Sequence, residues 1–334
     1  MAEISLLDLQ PHQVSRDLRG YSVLFYGAPK TGKTTISSHF PGALLCAFEK
    51  GYNAIADVYA QPINSWADFK KVITQLKQPA VAEKFQTVVV DTGDIAYDMC
   101  VKYVCAREST ADKTYETIGD IPYGKGYTLA MQEYDEQFRK ILQMNYGLVI
   151  ISHDKDKVFK DESGQEYNKI VPTLDNRAAL VCERTCDIIG YAREVNTENG
   201  PQTRLFLRGT PRFEAGSRFR YTPDSIEFSY EALVNAIAEA VEKEASHGAN
   251  RVTDKSQAAK VYAEEPTYDF KAMVEEFQEI VGGLVQKSPN MAAKITSIVD
   301  RHLGKGKKVA ECTEANAPQL DLILYDLKEL ALSK

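Results

Sequence analysis

The sequence predicts an α/β protein in which a mostly parallel sheet is covered by helices on both faces and is followed by a small all-helical module. Continuous apolar runs of strand length, at 43–48, 88–90 and 147–152, alternate with segments of helical periodicity. Strands without polar alternation are typical of parallel sheets whose two faces are both buried. Beyond residue 266, helical segments at 268–285, 290–303 and 315–332 follow one another with no strand between them.

We divide the 334 residues accordingly. Residues 1–20 are a lead-in, residues 21–244 the α/β core, and residues 267–334 the helical module. Residues 245–266 are rich in Ser, Ala, Lys, Glu and Gln, a composition that indicates a linker.

The core begins with an apolar strand at 21–26 and a phosphate-binding loop. Gly27-x-x-x-x-Gly32-Lys33-Thr34 matches the Walker A pattern G-x-x-x-x-G-K-[ST] at every defined position. Glycines let backbone N–H groups converge on a polyphosphate, and the following helix adds its N-terminal donors and positive dipole end. The pattern predicts Lys33 on the β- and γ-phosphates and the Thr34 hydroxyl on Mg²⁺. The predicted nucleotide-binding residues are Gly27, Ala28, Pro29, Lys30, Thr31, Gly32, Lys33, Thr34 and Thr35.

Polar residues close three further apolar strands. Asp91 ends the run 88–90 and is predicted to join Thr34 in the Mg²⁺ sphere, with a helix-capping acid as the alternative. Glu49 follows the next strand after the loop and is predicted to polarise the water that attacks the γ-phosphate, although a plain surface acid fits the same position. His153 follows the run 147–152 and is either a sensor of the γ-phosphate or a solvated residue at a strand end.

Composition excludes several other classes of protein. A net charge of −7 and a pI near 5.5 exclude a surface uniformly basic for nucleic acid, but not a local basic groove. No apolar run is long enough to cross a membrane, and the N-terminal residues do not have the pattern of a secretory signal. None of the six cysteines forms a C-x-x-C pair, so free thiols in a reducing compartment are expected. The expected location is the cytoplasm.

These elements together resemble the ATPase core of the RecA/RadA recombinases. More narrowly, they resemble bacteriophage proteins with a minimal RecA-like core that act in single-strand annealing and recombination. The matching segments are 27–34, 47–51, 88–91, 123–127, 150–153 and the Arg-rich stretch 207–220. The resemblance covers about residues 22–244, and His153 stands where the family usually has Gln or Asn. It implies ATP and Mg²⁺ as cofactors, DNA-binding loops, and a homo-oligomeric ring or filament.

Contacts to nucleic acid must be local in an acidic chain. The predicted DNA-binding residues are Lys125, Lys155, Lys157, Lys160, Arg208 and Arg212. Phe206, Phe213, Phe219 and Tyr221 interleave with arginines, a pattern that indicates base stacking beside phosphate contacts. A charged, solvated hairpin at 154–172 is the alternative for the lysines. Arg218 and Arg220 are the candidates for a cation that completes the active site of a neighbouring subunit.

The sequence therefore predicts a Mg²⁺-dependent ATPase that binds single-stranded DNA and promotes annealing or homologous recombination. One alternative is a helicase or helicase loader on the same fold. A second is a binding protein that nucleotide switches with little turnover. The basic cluster Lys305, Lys307 and Lys308 in the helical module is a candidate contact for DNA or for a single-strand-binding protein, and a solvated turn fits it as well.

Overall fold

A computed structural model describes residues 14–15, 18, 20–198, 200–246, 252–253, 268–287 and 291–332. The chain divides into two compact units, one within Ser5–Ala263 and the other within Glu264–Lys334. Most of the predicted lead-in and linker lies outside the described residues. The domain boundaries given above therefore stay a prediction.

The larger unit is built on a nine-stranded sheet, which confirms the predicted α/β fold. The order of its strands is β12-β10-β9-β2-β6-β5-β3-β4, with β11 paired to β9. The five strands from β2 to β4 in that order pair in parallel, and β2 also pairs in parallel with β9. The pairs that β9 makes with β10 and β11 are antiparallel. The strands of the chain are β1 (Val14–Ser15), β2 (Ser22–Gly27), β3 (Ala43–Ala47), β4 (Tyr59–Pro62), β5 (Thr87–Asp91), β6 (Gly147–Ser152), β7 (Asp154–Lys160), β8 (Glu166–Pro172), β9 (Ile188–Thr197), β10 (Gly200–Phe206), β11 (Gly216–Ser217), β12 (Ser225–Glu227) and β13 (Val252–Thr253).

Helices cover both faces of this sheet. Side chains alternate between two cores, because neighbouring residues of a strand point to opposite faces. Val88, Val90 and Ile150 pack into the core under α2, α4, α5 and α6, whereas Val89 and Val149 pack into the core under α1 and α7. The helices are α1 (Lys33–Ser38), α2 (Trp66–Gln75), α3 (Pro79–Lys84), α4 (Gly93–Glu108), α5 (Lys125–Gln143), α6 (Asn176–Thr185), α7 (Tyr230–Ser246), α8 (Phe270–Lys287), α9 (Met291–Leu303) and α10 (Ala317–Leu332).

The register of the parallel strands aligns their carboxyl ends at one edge of the sheet. Asp91 pairs with Ala47 on one side and with Ile151 on the other, and Tyr26 pairs with Ser152. The loop after β2, the turn after β3, the end of β5 and the end of β6 are therefore neighbours in space. The four sequence segments singled out for chemistry meet at this edge.

Two connections between strands are antiparallel turns. Residues 154–172, for which a charged hairpin is one of the sequence-based expectations, form the hairpin β7–β8, with Asp154 opposite Pro172 and Lys160 opposite Glu166. The turn between β9 and β10 is short, because Gly200 already pairs with Thr197 in the ladder of these two strands. Gly200 has φ 95°, a conformation that glycine adopts without a steric penalty, and this allows the tight turn.

The smaller unit is helical. Helices α8, α9 and α10 enclose a core that includes Ile298, Leu320, Ile323 and Leu327. Within the part of the chain that the structure describes, no helix has the length and apolar character needed to cross a membrane.

Candidate nucleotide site and nucleic-acid surface

Two glycines shape the phosphate-binding loop between β2 and α1. Gly27 has φ 152°, and a Cβ atom at this position would lie 2.2 Å from the carbonyl oxygen of Ala192 on β9. Gly32, with φ 94°, is the left-handed residue from which α1 starts. A side chain at either position would strain the backbone, and at Gly27 it would also collide with the neighbouring strand. The sheet and the helix thus fix the loop at both ends.

The ammonium group of Lys33 lies inside the curve of this loop. Its Nζ donates to the carbonyl oxygens of Gly27 at 2.8 Å and Ala28 at 2.7 Å. The side chain is buried, and burial lowers the pKa of Lys33 against the opposing influence of Asp154, Asp91 and Glu49. The positive charge is thereby held against the loop by the loop's own carbonyl oxygens.

Three oxygens from three different segments converge opposite the loop. A Cβ atom built on Gly51 would lie 3.7 Å from Oδ2 of Asp91, 3.8 Å from Oε1 of Glu49 and 3.8 Å from Oγ1 of Thr34. Thr34 also donates a 2.8 Å hydrogen bond to Oδ2 of Asp91. Hydroxyl and carboxylate oxygens are the donors that Mg²⁺ takes, usually one or two from protein beside phosphate oxygens. The donor set fits a Mg²⁺ ion held by Thr34 and Asp91.

Asp91 is nearly fully buried at the end of β5, with 1% of its surface exposed. Burial raises the pKa of its carboxyl group to about 6, and the hydrogen bond from Thr34 opposes this increase. A buried carboxylate without a cation is costly, so bound metal would favour its ionised form. The peptide bond between Asp91 and Thr92 is cis.

Glu49 and His153 face each other across the same edge. Nε2 of His153 lies 3.7 Å from Oε1 of Glu49, and each side chain is one-third exposed. The buried Nδ1 of His153 has no hydrogen-bond partner among the described residues. The structure thus brings together Lys33, Thr34, Glu49, Asp91 and His153.

A cavity of about 660 Å³ adjoins the loop on the side of α1. Its walls include Gly32 and Thr35 of the loop and helix, Arg204 of β10, and Glu227, Phe228 and Glu231 near the start of α7. The ring of Phe228 lies at van der Waals distance from Gly32 and packs edge-on against Phe25. Sequence analysis did not find this cavity, because its walls come from segments about 170–200 positions apart and carry no motif.

The predicted arginines lie away from this edge or are engaged within the chain. Arg218 forms a 2.8 Å ion pair with Asp187 and donates to the carbonyl oxygen of Arg184 at 2.6 Å. Arg208 donates to the carbonyl oxygens of Phe219 at 2.8 Å, of Thr222 at 3.3 Å, and of Arg220. These bonds brace the loop after β11. The side chains of Arg212 and Arg220 are exposed.

The predicted lysines lie around the hairpin and the start of α5. Lys155 donates to the carbonyl oxygens of Thr173 at 3.1 Å and Leu174 at 3.4 Å. Lys157 binds Oδ1 of Asn176 at 2.9 Å, and Lys160 lies 3.4 Å from Glu166. Lys125 lies 5.9 Å from the ring centre of Tyr123.

The stacking role predicted for the aromatic residues of 206–221 is wrong for two of them. Phe213 and Phe219 are buried, with 6% and 9% of their surface exposed, so their faces are not available to a base. Phe213 packs instead against Tyr191 and Phe206, with ring centres 5.1 Å apart in each pair. Sequence spacing alone does not distinguish an aromatic core from an aromatic surface.

This aromatic core also connects the phosphate-binding strand to the hairpin. Tyr26, which precedes Gly27, stacks on Tyr191 with ring centres 4.8 Å apart. Its hydroxyl donates to the carbonyl oxygens of Ile170, at 3.4 Å, and of Glu214. The hydroxyl of Tyr191 lies 3.5 Å from Oδ2 of Asp154 at the start of β7. Sequence analysis singled out neither tyrosine.

A phosphate-binding loop after β2, an acid at the end of β5, and the single strand β6 between these two strands define a P-loop NTPase. The model of the AAA_24 family of AAA domains matches residues 19–219, and the chain belongs to this family.

Known proteins similar to the chain include a prophage protein. The chain is 32% identical over 343 residues to the SPbeta prophage-derived uncharacterized protein YorG of Bacillus subtilis (strain 168), and the match covers 98% of each of the two proteins. Among solved structures, a RadB recombinase is 12% identical, with a TM-score of 0.35 over 64% of this chain and 90% of that one. A KaiC-like protein from Pyrococcus horikoshii OT3 is 10% identical, with a TM-score of 0.36 over 65% of this chain and 94% of that one.

Proposed function

We propose that the protein is a Mg²⁺-dependent ATPase that binds single-stranded DNA and promotes annealing or homologous recombination. The observation that carries the proposal is the convergence of Thr34, Asp91 and Glu49 around Gly51, opposite the ammonium group of Lys33. Phosphoryl transfer to water needs positioned charge and a positioned base more than covalent chemistry. This set of residues supplies both.

Each residue has a distinct role in the proposed hydrolysis. Lys33 binds the β- and γ-phosphates, and Thr34 and Asp91 hold Mg²⁺, which neutralises charge on the phosphate oxygens when it is bound. Glu49 orients the attacking water and accepts its proton. The nucleoside occupies the cavity beside α1, where the ring of Phe228 is placed to contact the base.

Contacts at the end of β6 support a coupling between the nucleotide and the hairpin. Thr173, the residue after β8, donates from its backbone N–H to the carbonyl oxygen of His153 at 2.9 Å. Its hydroxyl donates to Oδ1 of Asp94 at 2.6 Å, and Ser152 donates to the same oxygen at 3.2 Å. We propose that His153 responds to the γ-phosphate and that this network carries the response to the DNA-binding hairpin.

The proposal includes assembly into a ring or filament. Arg220 is exposed beside Tyr221, and Arg218 is 58% exposed despite its bond to Asp187, so either side chain is accessible to a neighbouring subunit. The partner of the helical unit is proposed to be DNA or a single-strand-binding protein. The similarity to a prophage protein supports action in the cytoplasm of a bacterial host.

An annealing assay tests this proposal. Two complementary oligonucleotides, one carrying a fluorophore and the other a quencher, are mixed with the protein, Mg²⁺ and ATP. We expect faster quenching with the native chain than with Lys33→Ala or with no protein. Strand separation of a preformed duplex would favour the helicase alternative instead. Nucleotide-dependent DNA retention without hydrolysis would favour the nucleotide-switched binding protein.

A further inference from the structure

The β7–β8 hairpin separates its charges by face. Side chains alternate along a strand, and the register pairs Lys157 with Lys169 and Phe159 with Tyr167. One face therefore carries cations and aromatic rings, from Lys155, Lys157, Phe159, Tyr167 and Lys169. The acids Asp154, Asp156 and Glu166 fall on the opposite face together with Lys160, which lies 3.4 Å from Glu166. On the first face, Lys169 forms a 3.1 Å ion pair with Glu214, whereas Lys155 and Lys157 form no ion pair with an acid among the described residues.

Cations and rings on this face lie close together. The Nζ atoms of Lys157 and Lys169 lie 5.4 and 5.6 Å from the ring centre of Phe159. Phe159 stacks against Tyr167, with ring centres 5.9 Å apart. Cations bind the phosphates of a nucleic acid, and aromatic rings stack on unpaired bases. The face therefore has the composition of a surface that binds a single strand.

The face continues onto the starts of α6 and α5. Lys157 binds Asn176, the first residue of α6, and the guanidinium of Arg177 lies 4.1 Å from the ring centre of Tyr127 on α5. Two residues before Tyr127 is Lys125, the first residue of α5, and the exposed turn Pro122–Gly124 directly precedes it. Each step along this path presents a cation beside an aromatic ring.

Tyr123 is the most exposed large hydrophobic side chain among the described residues, with 95% of its surface accessible. Its backbone is left-handed, with φ 60°, a conformation that a bulky side chain rarely adopts. The turn that presents it is fixed from both sides. Ile121 before it is buried, and a Cβ atom at Gly126 after it would lie 2.4 Å from the carbonyl oxygen of Ile118. A rigid support holds the aromatic ring in solvent.

We propose that the cationic and aromatic face of the hairpin, the Arg177–Tyr127 pair and the Tyr123 turn form one surface for single-stranded DNA, on which Tyr123 stacks against a base. The inference rests on the proposed function and names the surface through which the DNA is held. Aromatic faces bind bases that are not already stacked in a duplex. Phe213 and Phe219, to which sequence analysis gave part of the stacking, are buried and do not contribute it.

The test measures the affinity of the full chain for a fluorescein-labelled oligothymidylate by anisotropy. We expect Tyr123→Ala to raise the dissociation constant about 5- to 100-fold, and Tyr123→Phe to keep it within about twofold, because the ring supplies the stacking energy. Tyr59→Ala is the matched control. Tyr59, on the edge strand β4, is also exposed (56%), and its ring also lies beside a cation, Lys84. This variant should bind as the native chain does.

Salt dependence separates stacking from charge. Tyr123→Ala should leave the slope of log Kd against log salt unchanged, whereas Lys157→Ala, which removes a cation bonded only to the neutral amide of Asn176, should reduce it by about 0.7. If the native chain binds the oligonucleotide and Tyr123→Ala binds it equally well, the inference is wrong and the proposed function stands. A native chain that hydrolyses ATP but retains no single strand contradicts the proposed function itself. Tighter binding to a duplex than to a single strand contradicts the stacking surface.

Discussion

The hydroxyl of Thr34 donates a 2.8 Å hydrogen bond to Oδ2 of Asp91, although the two residues are 57 positions apart in the chain. The bond joins the first turn of α1 to the end of β5, and thus the phosphate loop to the acid that completes the site. Because the acceptor is buried, its protonation state determines whether the pair can hold a divalent cation.

Metal-dependent nucleotide binding should therefore depend on pH. The pKa of Asp91 is raised from 3.8 to about 6, so the carboxyl group is neutral below that pH and ionised above it. We expect the affinity for Mg²⁺·ATP to increase about tenfold per pH unit up to about 6 and to level off above it, because one proton must leave before the metal binds. Isothermal titration calorimetry between about pH 5 and 8, a range that spans the pKa of about 6, measures the affinity for Mg²⁺·ATP. Asp91→Asn should remove the step, and an unchanged profile in that variant would contradict the assignment.

Glu49→Gln tests the proposed base. The amide keeps the size of the side chain but cannot accept a proton, so we expect the rate of hydrolysis to fall about 100- to 10,000-fold while nucleotide affinity changes little. Single-turnover hydrolysis and binding of a fluorescent ATP analogue measure the two quantities separately. Native turnover in Glu49→Gln would show that Glu49 is only a surface acid near His153.

Phe228→Ala tests the cavity beside α1. Loss of the ring should weaken ATP binding by roughly 3- to 10-fold and leave the turnover number of the bound nucleotide close to native, because the ring contacts only the nucleoside. Phe85→Ala is the control, since Phe85 is also half-buried but packs against Tyr59 on the far edge of the sheet. Equal affinities of the two variants for ATP would show that the adenine base does not bind beside Phe228.

Glu133→Ala tests the packing that supports the sheet. Its carboxylate, 4% exposed, accepts hydrogen bonds from Trp66 at 3.0 Å, Lys70 at 2.8 Å and Arg107 at 3.2 Å, and so ties α2, α4 and α5 together. Removing it leaves the buried indole N–H of Trp66 without its acceptor, while Lys70 keeps only its bond to Tyr103 and Arg107 its pair with Glu108. We expect the free energy of unfolding to fall by about 2–4 kcal/mol. Glu136→Ala, which breaks an exposed pair with Lys140, should cost less than about 1 kcal/mol. Urea denaturation of the two variants gives the comparison.

Much of the fold follows from sequence because parallel strands are apolar on both faces. The runs 88–90 and 147–152 are read as strands without ambiguity, and the glycines of the phosphate loop place the turn between β2 and α1. Strand β4 was missed, because Tyr59–Pro62 is an edge strand whose side chains are mostly exposed and form no apolar run. Helix α3 was not predicted, because it is six residues long and buries no side chain, although Pro79 suits its first position.

The candidate site follows only in part, for a physical reason. Lys33, Glu49, Asp91 and His153 could be placed together because parallel strands end at one edge of a sheet. The central position of Gly51, the cavity at Phe228 and the burial of Phe213 depend on which distant segments pack together, and spacing in a single sequence does not contain that information. The separation of charges on the hairpin was hidden for a different reason: it needs the register between β7 and β8.

The central claim is that hydrolysis at the Thr34–Asp91–Glu49 site is coupled to single-stranded DNA. The most direct measurement is the steady-state rate of ATP hydrolysis with and without a single-stranded oligonucleotide, with Lys33→Ala as the control for contaminating activity. We predict a rate that single strands increase several-fold, and that is absent in Lys33→Ala under both conditions. A rate that depends on Lys33 but does not respond to single-stranded DNA would contradict the coupling.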